Sequence, residues 1–461
     1  MLVVYSPAVR IPEREYIYRV MLEEFLGLSC RVEFGEYPDV EIELDEGGEA
    51  SRLRVADVLL RMPDSSWLGA SSLPSCPLDR IDPGHGLLPS LPVLYGEPSA
   101  DGSYFSKAQD QDYCGVDVFG GAFFLLTRYE EVVVPLRDRH GRFPASASLA
   151  AKEGFLNRPL VNEYAELLWL RMSALWPGLQ RPPRKARRMV SHDVDFAYYR
   201  TGRRRRDAAR EALGDILRRK DLRSGLLKLT MLPPGLWTRA HDPFDTYDWL
   251  MEQSERQGLK SSFYFMTDQT DPRWDGNYTL KNPRLIRLLQ SIAARGHEIG
   301  LHPSYDSSRQ EGMIREQFNR LLAAAESVGI KQPSYGGRQH YLRWNGPDTW
   351  QQWEDAGLTY DSSLGYPEQI GFRAGACYEY PVFHLLNRRA LRLRERPLLV
   401  MDQSVIHPSY MGLQGEEALS EIRRCYDSCM RYNGDFTLLW HNSQLTATAD
   451  RKLYMDILQL R

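Results

Sequence analysis

The sequence predicts an α/β protein in which a smaller α+β region precedes a barrel of about seven parallel strands. Three observations carry this expectation. First, beyond residue 183 short apolar runs (RMVSHD, SSFYFM, HEIGLH, PSYGGR, LTYDSS, PLLVMD and FTLLWH) alternate with helix-length amphipathic segments such as PRLIRLLQSIAARG and REQFNRLLAAAESVG. Second, 461 residues exceed one ordinary compact core, although an α/β barrel fills well over half of that length. Third, the bridge PGLQRPPRKARR is rich in proline, which resists continuation of a helix, and it divides the chain into residues 1–183 and 184–461.

Within the first part, residues 12–26 show helical periodicity, and CRVEF and VEIELDE alternate like half-buried strands. Residues 63–115, rich in Pro, Ser, Gly and Asp, read as loops. They lead into VDVFGGAFFLLTRYEEVV, whose apolar run suits a buried helix, and Glu163 to Trp176 predicts an amphipathic one. No obvious chemistry stands out in this part. In the second part the strands alternate with helices, and in a parallel barrel the catalytic groups gather at the C-terminal strand ends.

Composition narrows the functional classes. Apolar residues make up 43% and charged residues 26%, and the formal net charge is -3, so neither nucleic acid nor an acidic membrane is the expected partner. The start MLVVYSPAVRIPEREYIYRV resembles neither a signal peptide nor a transmembrane span, which predicts a cytoplasmic protein. Six cysteines with no CxxC pair read as reduced, and Cys425 and Cys429, one turn apart, read as helix packing. The basic run RTGRRRRDAAR at 200–210 lacks interleaved aromatics and reads as a solvated helix start or loop. The 25 tyrosines and 10 tryptophans serve core packing as readily as sugar stacking.

Polar residues collect where strands end. Ser191-His192-Asp193-Val194-Asp195 spaces two carboxylates by two, which puts both on one face of a persisting strand. Neighbouring acids repel, so a bound cation or a shared proton is the natural compensation; taken alone, though, such a pair reads more simply as turn or capping residues. A second cluster is GHEIGLHPSYD. If a helix starts at Pro303, His302 and Asp306 lie four apart on one face, and with Asp195 they give three ligands and an open position, the pattern of a catalytic zinc site. His297 alternates the wrong way and reads as structural.

The motifs SHDVD, GHEIGLHPSYD, GGRQHY and LLWHNS occur in the order found in the polysaccharide deacetylase family, carbohydrate esterase family four, which the chain resembles over about residues 188–445. The resemblance implies a distorted (β/α)7 barrel and metal-dependent removal of an N-acetyl group from an amino sugar or polysaccharide. It implies Asp193 as general base and Asp195 as ligand, with the second acid displaced by one residue from the family's pattern. His302 matches the first ligand histidine of the family's second motif, whereas Asp306 stands where its second histidine would be; a carboxylate there shifts preference somewhat toward harder ions such as manganese, with zinc still the expected ion. Arg338 and Tyr341 inherit the roles of orienting the base and offering a backbone N–H to the oxyanion, with Arg343 an alternative to the arginine. His441, ending an apolar strand, becomes the general acid, tuned by Asp402 or, second, Asp361.

The N-terminal part, with VFGGAFFLLTRYEE and DRHGRFP, resembles the accessory domain of a bacterial subgroup of the family. GFRAG and YDSSLGY share that likeness, and Arg373 is expected to touch substrate or pair with a carboxylate. Two rivals remain: a hydrolase of another amide on the same barrel, and a glycan-binding or assembly protein that has lost catalysis. No G-x-S-x-G elbow suggests a serine nucleophile.

Overall fold

Alternating residues build a six-stranded sheet from the first part of the chain. The computed structural model describes all residues except 46–50, 85, 87, 109–110, 200–204, 218–221, 223–224, 227–228, 230–241 and 277. The strands are β1 (Leu2–Pro7), β2 (Cys30–Gly35), β3 (Val40–Leu44), β4 (Arg52–Val55), β5 (Asp79–Ile81), β6 (Leu91–Val93), β7 (Phe105–Ala108) and β8 (Gln111–Cys114). The sheet order is β2-β1-β3-β4-β8-β7, with β5 and β6 forming a separate ribbon. The predicted strands are β2 and β3. The apolar start, by contrast, becomes the buried strand β1 between them, and the loop-rich stretch contains two short hairpins.

The predicted helix at 12–26 is Ile11–Tyr18 continuing as a π-helix over Arg19–Phe25. Val118–Leu126 is buried at every position, as its apolar run requires; Asp117 caps it by accepting from the Gly120 amide. A left-handed Arg128, at φ 55°, then breaks the run before Tyr129–Val133. The helix predicted over Glu163 to Trp176 is Leu160–Leu175, with Trp176 as its C-cap.

The second part forms a nine-stranded sheet: β9 (Arg187–Val194), β10 (Ser261–Phe265), β11 (Glu298–Leu301), β12 (Gly336–Gly337), β13 (Tyr360–Asp361), β14 (Tyr380–His384), β15 (Arg389–Glu395), β16 (Val400–Met401) and β17 (Asp435–Leu439). Its order is β14-β15-β13-β12-β11-β10-β9-β17-β16. All neighbours are parallel except the β14–β15 hairpin. Each of the seven apolar runs contributes a strand, and the hairpin is additional. The expected closure into a barrel is not what the ladder shows: among the described residues β14 and β16 are edges. The sheet nonetheless curls. Leu342 beyond β12, Leu398 and Met401 at β16, and Leu439 on β17 form one buried cluster, and the Leu398 amide donates to Leu364 O at 3.0 Å.

Amphipathic helices cover the sheet. Pro283–Ala294 starts at Asn282, whose side chain accepts from the Arg284 amide, and buries Leu285, Leu288, Leu289 and Ile292 at helical spacing. Cys425 and Cys429 are buried on Gly415–Met430, as packing residues should be. Strand β12 needs its glycines: a β-carbon on Gly337 would overlap the Leu301 carbonyl of β11. Residues 200–204 of the basic run lie outside the described residues, and the rest opens a helix, Arg205–Leu217.

One apolar cluster runs through both parts. The Val161 amide donates to Gly375 O and the Phe372 amide to Leu156 O, each at 2.8 Å. Arg373 pairs with Glu131 through two bonds of 2.9 and 2.7 Å, which is the carboxylate partner expected for it.

Candidate active site

Strand β9 carries Asp193 and delivers Asp195 one residue past its end. Both face a cavity of about 340 Å³, whose walls also include His302, His340, Tyr341 and His441. The period-two reading of the acid pair therefore describes their common direction. His302 follows β11, Arg338 to Tyr341 follow β12, Asp402 follows β16, and His441 lies two residues beyond β17.

Asp195 is the centre of this arrangement. Its Oδ1 lies 3.1 Å from His302 Nε2 and 3.6 Å from His340 Nε2, and its Oδ2 lies 3.6 Å from His441 Nε2. Each ring has its Nδ1 on a pure acceptor: His302 on Arg338 O at 2.7 Å, His340 on Asp275 Oδ1 at 2.9 Å, and His441 on Asp402 Oδ1 at 2.7 Å. Neutral rings so oriented present Nε2 lone pairs to a carboxylate. Acceptors facing an acceptor call for protons or a cation between them. Burial would raise the Asp195 pKa, but His340, His302 and His441 hold it far below the carboxylate range. Burial would lower His302, but Asp193 and Asp195 raise it. The same opposition, with Asp402 and Asp195 prevailing over burial, lifts His441 to about 10.

Ligand atoms of Asp195, His302 and His340 all lie within 4.8 Å of one another. Two imidazoles and a carboxylate with occupied Nδ1 atoms suit a divalent transition metal.

Asp306 is not part of this group. Residues 302–306 are irregular rather than helical, so the four-residue spacing creates no common face. The Asp306 carboxylate instead meets Arg343 Nη1 at 3.2 Å, and its amide donates to Thr270 Oγ1. His340, from the already conspicuous GGRQHY, occupies the third position. Its anchor Asp275 lies in a loop without a motif; it is buried and also accepts from the amides of Thr270, Asp271 and Tyr305.

Beside this group Arg338 Nη1 donates to Asp193 Oδ1 at 2.8 Å. Its Nη2 donates to Ser191 Oγ and Ser362 Oγ and its Nε to Ser362 O, so every nitrogen of the guanidinium is engaged. Asp402 also accepts from the His441 amide at 2.7 Å. Asp361 is elsewhere, buried beside Glu395 across β13 and β15. His297 accepts from the Ser261 amide and contacts Glu255, a structural role.

Tyr341 has left-handed backbone, φ 60° and ψ 15°, and its carbonyl accepts from Arg142 Nη1 at 2.9 Å. Arg343 returns the link by donating to His140 O at 2.9 Å, while His140 Nδ1 meets Tyr305 Oη at 2.8 Å. The segment DRHGRFP thus forms a wall of the cavity, with Arg139, His140 and Arg142 in its lining. The sequence offered one signal for it, a cluster of His and Arg between turn residues.

A family model described as a family of unknown function, DUF7033, matches residues 2–177. No curated protein matches the chain. Among solved structures, a protein described as a polysaccharide deacetylase from Mycobacterium smegmatis is similar at 19% identity and TM-score 0.38, covering 61% of this chain and 85% of that one. Puue allantoinase is similar at 14% identity and TM-score 0.36, covering 60% and 87%. A protein from Bordetella bronchiseptica, described as a polysaccharide deacetylase involved in O-antigen biosynthesis, is similar at 15% identity and TM-score 0.26, covering 56% and 72%. Among the described residues no helix is long and apolar enough to cross a membrane.

Proposed function

We propose that the chain is a metal-dependent hydrolase that removes the N-acetyl group of an amino sugar or glycan, in polysaccharide biosynthesis. The single observation that carries this reading is the meeting in one cavity of Asp195, His302 and His340 with two braced acid-base groups, Asp193 on Arg338 and His441 on Asp402. In this reading residues 184–461 form a distorted (β/α)7-like barrel, and residues 1–183 form an accessory domain that completes its rim.

Asp195, His302 and His340 would hold a divalent ion, with zinc the first choice, which when bound polarises the acetyl carbonyl and acidifies water. Asp193, oriented by Arg338, accepts a proton from the attacking water. The backbone N–H of Tyr341, in a turn held by Arg142, is assigned to the developing oxyanion. His441, held at Nδ1 and at its amide by Asp402, delivers a proton from Nε2 to the departing nitrogen.

The test is acetate release from acetylated amino sugars together with metal content. A stoichiometric ion whose removal by chelator abolishes release, and whose return restores it, supports the reading. Stoichiometric metal with no hydrolysis of any acetylated sugar would instead favour the catalytically lost glycan-binding protein, and hydrolysis of cyclic amides alone would favour another amidohydrolase.

A further inference from the structure

The cavity is lined by three guanidinium groups, the exposed Arg139 and Arg273 and the buried Arg142. Two of them are neutralised locally: Arg142 binds Asp138 at 2.7 Å, and Arg273 binds Asp271 at 2.5 Å. Arg139 is exposed and differs. Its Nε donates to His140 Nε2 at 3.0 Å, and among the described residues Nη1 and Nη2 have no protein acceptor. His140 is itself fixed, by Tyr305 Oη at Nδ1, so the neutral ring holds the free edge of a guanidinium at the rim. The deeper carboxylates do not compete for it, because Asp193 is held by Arg338 and Asp195 faces three histidines.

The cavity wall next to this cation is aromatic. Trp274 and Tyr341 both line it, with ring centroids 5.5 Å apart, and Tyr410 joins them. Flat apolar faces suit a sugar ring, and a volume near 340 Å³ lies at the small end for ligand cavities. A guanidinium edge binds carboxylates and phosphates through paired, charge-assisted hydrogen bonds.

We propose that Arg139 makes the cavity mouth a subsite for an anionic substituent, so that the preferred substrate is an acetamido sugar bearing a carboxylate or a phosphate ester. The acetamido part rests on the hydrolase reading above; the anionic part rests on Arg139.

The experiment is titration calorimetry of the full chain supplied with zinc, using N-acetylglucosamine, its 6-phosphate and its 6-carboxylate, with acetate release followed on the same three compounds. The expected result is that at least one anionic probe binds about tenfold more tightly than the neutral sugar. That ratio shrinks as salt is added and collapses toward one in Arg139→Gln. The more tightly held probe identifies the anion. Equal affinities, a ratio that survives in Arg139→Gln, or no binding of either anionic probe at millimolar concentration overturns the subsite. Charge-dependent binding without acetate release leaves the subsite standing and overturns the hydrolase. Release from the neutral sugar at the same kcat/KM as from the anionic ones does the reverse.

Discussion

Arg142 donates to the carbonyl oxygen of Tyr341 at 2.9 Å, joining two residues 199 positions apart in the chain. The bond fixes a turn in which Tyr341 and Leu342 both have positive φ, a conformation that costs energy in non-glycine residues. His340 sits in the same turn. Arg142→Ala is therefore expected to lower kcat for acetate release by roughly tenfold to a hundredfold, with a smaller change in KM, because displacement of the turn by an ångström disorders reacting groups. Arg142→Lys, which keeps one donor, should recover part of the loss. Steady-state kinetics of the two variants check this, and an unchanged kcat in Arg142→Ala would refute it.

The choice between His340 and Asp306 as third ligand is open to direct measurement. His340→Ala should purify with well under one ion per chain, whereas Asp306→Ala should keep its metal, since that carboxylate is engaged by Arg343. Elemental analysis after dialysis gives the answer. The reverse pattern would restore the reading drawn from sequence spacing.

Asp193→Asn keeps the shape of the side chain and removes its capacity to take a proton. The variant should bind metal normally yet release acetate about 10²- to 10⁴-fold more slowly. Asp402→Asn should also slow release, because the amide cannot hold His441 Nδ1–H as a carboxylate does. Activity within a factor of two of the parent in Asp193→Asn would remove it from the base role.

Asp361 and Glu395 face each other across β13 and β15 and are both fully buried. Burial, opposed mainly by Ser363, pushes Asp361 up to about 7, and burial with the Asp361 charge pushes Glu395 well above its usual range. Their folded pKa values are raised above the unfolded ones, near 4, so the folded chain holds extra protons between pH 4 and 7. The associated stability is present at low pH and is lost as pH rises through about 7. Urea unfolding of the parent and of Asp361→Asn should thus diverge. From pH 5 to pH 8 the parent should lose roughly 1 kcal/mol or more relative to the variant. Parallel pH profiles would rule the pair out as the cause.

Much of the site was legible because strand ends in a parallel sheet are short and polar residues there stand out against apolar runs. Asp193, Asp195, His302 and His441 were found this way, and all four line the cavity. Asp306 misled because a histidine-aspartate spacing of four has meaning only on a helix, and Pro303 starts none. Asp275 and Trp274 come from a loop whose path is set by backbone hydrogen bonds rather than by periodicity, and periodicity was the signal being read. Strand β1 was hidden because LVVY is a short apolar run without polar alternation, the pattern of a strand buried on both faces. The β14–β15 hairpin has no counterpart among the predicted strands because arginines break the apolar pattern of RALRLRE, although β15 lies between β14 and β13 in the sheet.

The Arg373–Glu131–Arg128 contact has a consequence for anyone who divides the chain. All three side chains are buried, Arg128 also donates to the Arg373 carbonyl, and Glu131 takes bonds from both arginines. A fragment starting at residue 184 would deprive Arg373 of its counter-charge, leaving Gly365 O as its acceptor within the fragment. The triad ties the two parts together through buried charge, so a substitution at position 131 is expected to be felt at 128 and 373.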